Sequence, residues 1–165
     1  MPATYEPIAT TTLSSTASSI SFTSITSAYT DIRLVFTGTY SSAGGTLAMT
    51  FNSDTGANYS YTALSGNGST AVSFRSSGDN YIDVSATGAV NTTVGMHEIN
   101  VFSYAGSTNK TVLIGTSVDK NGSGNVGRQV GLWRSTSAIT SITLSLTGQT
   151  FASGTTATLY GILKA

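Results

Sequence analysis

The chain has 165 residues, of which 39% are hydrophobic and only 8% charged, with Lys and Arg (7) balanced by Asp and Glu (7). A formal net charge of zero, with the basic residues scattered, leaves no stripe for counterion-releasing binding to nucleic acid and no patch for an anionic membrane. The absence of cysteine excludes a disulfide framework and thiolate chemistry.

Ser and Thr take the place of the missing charge, at about a third of the chain. They keep a surface wet without long mobile side chains, and the branched Cβ of Thr suits a pleated strand. The opening MPATYEPIAT has no basic region followed by an apolar run, so it does not read as a secretory signal. No apolar stretch approaches the roughly 18 residues of a membrane helix. Residues 1–16 read as extended. They are either the first strand of the domain or an arm that adds a strand to a neighbour, with Tyr5, Glu6 and Ile8 as its docking residues.

From there the hydrophobic pattern has period two. Weak runs cover Glu6–Leu13 and Ser19–Ile25. Asp31–Thr39 sets Ile32, Leu34 and Phe36 on one face, and Thr46–Asn52 does so with Leu47, Met49 and Phe51. Ala71–Phe74, Tyr81–Val84 and His97–Phe102 are weaker, and Thr111–Val118 groups Val112, Ile114 and Val118. Val126–Trp133, Ile139–Leu146 and Thr158–Lys164 close the series. The only prolines, Pro2 and Pro7, lie at the start, so nothing interrupts central strands. Asn52–Ser60, Ser65–Thr70 and Asp119–Gly127 are loops, because Asn, Asp and Gly favour tight and left-handed turns. About ten short strands predict a single all-β domain over 1–165, an antiparallel β-sandwich of jelly-roll type.

Little in this pattern suggests catalysis. Asp119-x-Asn121-x-Ser123-x-Asn125 places oxygen ligands as a calcium loop does, with Gly124 at the sixth position, but the twelfth, where a bidentate carboxylate belongs, is Val130. A tight hairpin loop is the better reading. Asn52, Asp54 and Asn58 form a weaker oxygen cluster. His97 is the one histidine, without zinc co-ligands or a triad, and reads as a surface or interface strand residue. Nothing fixes any two of Asp54, Asp79, Asp83 and Asp119 at the spacing glycoside hydrolysis needs. No cofactor or metal is expected. Tyr59, Tyr61 and Trp133, with Phe74, Tyr81 and Tyr104, lie beside loops and strand ends. They are stacking platforms for a sugar, with Asn52, Asp54, Asn58, Asp119 and Asn121 to bind hydroxyls, or they fill core ends and subunit contacts. The enrichment of Tyr at interfaces favours the second.

The segments YEPIATTTLSSTASSISFTSI, FNSDTGANYSYTALSGNGS, FSYAGSTNKT, GLWRSTSAITSITL and TLYGILKA together resemble short Ser/Thr-rich virion proteins of tailed phages, including those of cyanobacteria. The resemblance runs through nearly the whole chain in order. It implies a sandwich on the outside of the particle, without catalytic residues. The implied function is capsid decoration, with the major capsid protein and further copies of the chain, as a homotrimer, for partners. A tail-fibre or tail-tip module binding host surface glycan is the alternative.

Overall fold

The computed structural model describes residues 4–85, 90–119 and 121–163. Residues 1–3 of the N-terminal segment, Lys120 of the 119–127 loop and Lys164 of the last run lie outside them. The described residues form strands and turns without helix. In chain order the strands are β1 (Tyr5–Thr12), β2 (Ser19–Phe22), β3 (Asp31–Gly38), β4 (Leu47–Phe51), β5 (Tyr59–Gly66) and β6 (Ala71–Asp79). They continue as β7 (Ile82–Asp83), β8 (Gly95–Phe102), β9 (Lys110–Val118), β10 (Asn125–Trp133), β11 (Ile142–Leu146) and β12 (Thr156–Ile162).

All pairings are antiparallel. They build an eight-stranded sheet of order β1-β12-β3-β8-β9-β10-β5-β6 and a four-stranded sheet of order β2-β11-β4-β7. The fold is an all-β sandwich, as the alternation predicts. The period-two faces become its interior: Ile32, Leu34 and Phe36 of β3, Ile99 and Val101 of β8, and Val112 and Ile114 of β9 meet Leu47, Met49 and Phe51 of β4 and Ile142 and Leu144 of β11. Each such fully buried side chain contributes about 1.5–3 kcal/mol.

The strand map revises one sequence expectation and selects between two others. Tyr59–Gly66, divided in the sequence reading between two loops and the gap between them, is strand β5, paired to β10 from Trp133↔Tyr59 to Val126↔Gly66. The N-terminal segment is no free arm over its described part. β1 is the first strand, paired with β12 from Tyr5↔Ile162 to Thr12↔Thr156. Ile8 packs against the core, and Thr10–Thr158 and Thr12–Thr156 hydroxyl pairs (3.1 and 3.2 Å) tie its outer face down.

The sheets are unequal, so the large one overhangs the small one. β6 has no fully buried residue. Together with β5 it forms a hairpin closed by Asn67–Thr70, where the Asn67 N–H donates to the Thr70 carbonyl at 3.2 Å. Gly68, at φ 86°, supplies the left-handed turn residue.

Candidate functional site

The outward face of the large sheet follows from strand alternation. β10 turns Gly127, Gln129, Gly131 and Trp133 inward, which leaves Val126, Arg128, Val130 and Leu132 outward. Register aligns these with outward residues of their neighbours. Leu64, Arg128, Gly115, Glu98 and Val35 form one row, and Gly66, Val126, Ser117, Met96 and Thr37 the next. A third row runs Thr62, Val130, Leu113, Asn100, Arg33.

Around Arg128 these rows leave four apolar side chains open to solvent. Leu64 is 57% exposed, Val126 64%, Val130 46% and Met96 42%. Leu64, Met96, Val126 and Arg128 border a shallow depression of about 470 Å³ whose lining includes Gly115. A Cβ at Gly115 would lie 2.9 Å from Arg128 Nη1, so the guanidinium rests across the glycine. Beside it, Arg33 Nη2 pairs with Glu98 Oε1 at 2.7 Å, and the guanidinium lies 6.0 Å from the centre of the Tyr5 ring. Scattered exposed apolar residues are ordinary on a folded surface. Here Leu64, Met96, Val126 and Val130 lie on neighbouring positions of one sheet face rather than scattered.

Five of the residues singled out in the sequence do come together at one end of the sandwich, Tyr59 and Trp133 buried and Asn52, Asp54 and Asn58 half-buried beside them. Tyr59 and Trp133 are buried and stack with ring centres 6.3 Å apart and 14° between planes; Phe51 lies 5.5 Å from Trp133. The Trp133 indole N–H donates to Asp54 Oδ2 at 2.7 Å, and Asn58 Nδ2 donates to the same oxygen at 2.9 Å. The Tyr59 hydroxyl donates to the Asp54 carbonyl (3.0 Å) and accepts from the Phe51 N–H (3.0 Å). Asn52, at φ 51°, accepts from the N–H groups of Thr140 and Ser141 and donates to the Ala138 carbonyl. The Asp54 carboxylate and the Asn52 amide oxygen are thus engaged within the protein. The rings offer no open face, so Tyr59 and Trp133 are core residues and not stacking platforms.

The remaining candidates lie apart from that cluster. Tyr61 is half-buried under the β5–β6 hairpin, edge-on to Phe74 at 6.2 Å. Burial pushes its phenol up to about 12, reinforced by the nearby charges of Asp83 and Asp79. Asp119 and Asn121 occupy an exposed turn in which Asp119 Oδ1 accepts from the Gly122 N–H at 2.9 Å. Among the described residues no three His, Cys, Asp or Glu side chains are grouped as metal ligands. Glu6 lies near Tyr29, where its charge adds to burial in raising that phenol's pKa.

His97 corrects the sequence reading outright: it is fully buried. Val84 O can only accept, so the Nδ1–H donates to it at 3.1 Å, and Nε2 accepts from the Tyr40 hydroxyl at 3.0 Å. Its signal was present, since His97 alternates with the inward Ile99 and Val101. Lys110 is likewise buried, its Nζ donating to the carbonyls of Gly106 (2.7 Å) and Thr108, and burial lowers its pKa.

No protein-family model matches the chain, and neither curated proteins nor solved structures yield a match. The class defined by the fold alone is an all-β sandwich with an open apolar sheet face.

Proposed function

We propose that this chain is a structural protein of a phage particle, a capsid decoration protein that docks on the outer capsid surface. The observation that carries the reading is the apolar band Leu64–Val126–Val130–Met96 on the outward face of the large sheet. Such side chains gain from being covered, and their neighbours Gly115, Ser117 and Thr62 lose little side-chain entropy when they are. The resemblance to virion proteins supplies the partner, the major capsid protein. The polar cluster around Asp54 supports a structural role, because its groups satisfy one another rather than facing an open cleft.

The test is copy number, by quantitative peptide mass spectrometry of purified virions against the major capsid protein. A ratio near one per capsid subunit is expected for a lattice-wide cement. A few copies per hundred subunits would overturn it in favour of a tail-fibre or tail-tip module. Absence from the particle would remove both.

A further inference from the structure

Among the described residues the large sheet ends in two unpaired edges, β1 and β6, that differ in how well they are protected. β1 carries Pro7, which has no N–H, and a register shift between Pro7 and Ala9. Both are devices that keep other strands from pairing. β6, at the other edge, has no proline, spans nine residues and carries one basic side chain, Arg75, before the terminal Asp79.

The hairpin geometry fixes which backbone groups of β6 are free. The Asn67 N–H to Thr70 carbonyl bond makes Asn67–Thr70 a hydrogen-bonded pair, and such pairs alternate along an antiparallel ladder. Gly66↔Ala71, Leu64↔Ser73, Thr62↔Arg75 and Ser60↔Ser77 are therefore the non-bonded pairs. The N–H and C=O groups of Ala71, Ser73, Arg75 and Ser77 consequently point away from β5, and all four residues are exposed. The register shift at Tyr59/Ser60, with Gly78 at φ 76°, ends this regular stretch.

We propose that β6 pairs antiparallel with β6 of a second copy about a two-fold axis through Phe74, joining the two large sheets into one. A two-fold pair must be self-complementary, and this register is. Ala71 falls opposite Ser77 and Ser73 opposite Arg75, so every outward-pointing group finds a partner. Arg75 is kept off its twin; shifting the register by two residues to centre on Arg75 would set like charges face to face. Phe74 meets Phe74 in the closely spaced, non-bonded position on the inner face, extending the Tyr61–Phe74 ring contact across the axis. Zero net charge leaves no long-range repulsion between copies. A head-to-tail ring would instead require β6 to meet the blunted β1.

The inference concerns the purified protein and does not rest on the virion reading, whose expected homotrimer it replaces with a two-fold pair. The cysteine-free chain makes the test direct. Sedimentation over two decades of concentration should show a monomer–dimer equilibrium. Ser73→Pro removes an outward N–H without touching the β5–β6 bonds and should leave a folded monomer. Phe74→Cys should give a disulfide-linked dimer on mild oxidation, whereas Ser69→Cys, in the exposed hairpin turn, should not. A wild-type chain that stays monomeric throughout overturns the proposal. So does a dimer that survives Ser73→Pro with no cross-link at position 74, which would assign self-association to the apolar band instead. Phe74→Cys loses a ring contact, so Ser73→Pro, confirmed folded by circular dichroism, decides if the cysteine variant fails to fold.

Discussion

The indole N–H of Trp133, at the end of β10, donates to the carboxylate of Asp54, in the loop after β4, at 2.7 Å. With the Tyr59 hydroxyl bonded to the Phe51 N–H, this bond ties the end of the large sheet to the loop that leaves the small one. It is the largest of the contacts that lower the Asp54 carboxyl pKa, ahead of those from the Gly56 N–H and Asn58. Asp54→Ala leaves the indole N–H without its acceptor and should cost about 1–3 kcal/mol. Trp133→Ala should cost about 3–5 kcal/mol, because it also opens a cavity beside Phe51 and Tyr59. Urea unfolding of both variants checks this. A loss under 1 kcal/mol for Trp133→Ala would mean the ring is surface-mounted.

Acid sensitivity should trace to His97. Burial holds its pKa down at about 4, against an unperturbed 6.5. A histidine with a depressed folded pKa contributes stability that is complete above the unfolded value and is lost as pH falls from 6.5 towards 4. The interval corresponds to about 3 kcal/mol. Stability curves of wild type and His97→Gln should therefore diverge at neutral pH and converge by pH 4. Parallel curves across that window would assign the acid sensitivity elsewhere.

The strands legible in the sequence were those with aliphatic inner faces, such as β3, β4, β9 and β11, where apolar and polar residues alternate cleanly. β5 escaped because its inward residues are Tyr59, Tyr61, Ala63 and Ser65, polar-tipped or small, between runs of turn formers. The same chemistry left Tyr59, Trp133, Asn52, Asp54 and Asn58 open to two readings, a sugar site or the favoured core and interface, and burial of the two rings bears out the core. Whether such a set faces solvent or closes a core end depends on which strands flank it, and one of those was β5. The apolar band was illegible for a related reason. Leu64 lies on the missed strand, and it and Met96 join Val126 and Val130 of β10 only through the β5-β10-β9-β8 register.

Removing the N-terminal segment tests the role of β1. If residues 1–16 were an accessory arm, their deletion would leave the fold intact. The pairing of β1 with β12 and the packing of Ile8 predict the opposite. Deletion bares the β12 edge and withdraws a whole ladder, so thermal unfolding should shift down by many degrees and the truncated chain should aggregate. An unchanged midpoint would restore the arm.

Gly161 offers a local test of the same end of the sheet. A Cβ there would lie 2.3 Å from the Tyr29 ring, closer than any real contact. Gly161→Ala must push the ring off β12 and should cost about 1–3 kcal/mol. Near-neutral unfolding data would show that the segment carrying Tyr29 gives way freely.

The outward face can be separated from the fold by charge. Leu64 and Val126 are more than half exposed, so Leu64→Lys and Val126→Lys should each change stability by no more than about 0.5 kcal/mol. If the band docks on the capsid, burying either ammonium carries a desolvation cost that nothing in the apolar band repays. Rebinding to capsids stripped of this protein should then fall at least tenfold for each variant. Val72→Lys, on the inner face of the overhanging hairpin, should bind as wild type does. Equal rebinding by all three variants would move the docking surface off this face and leave the apolar band without a role in the particle.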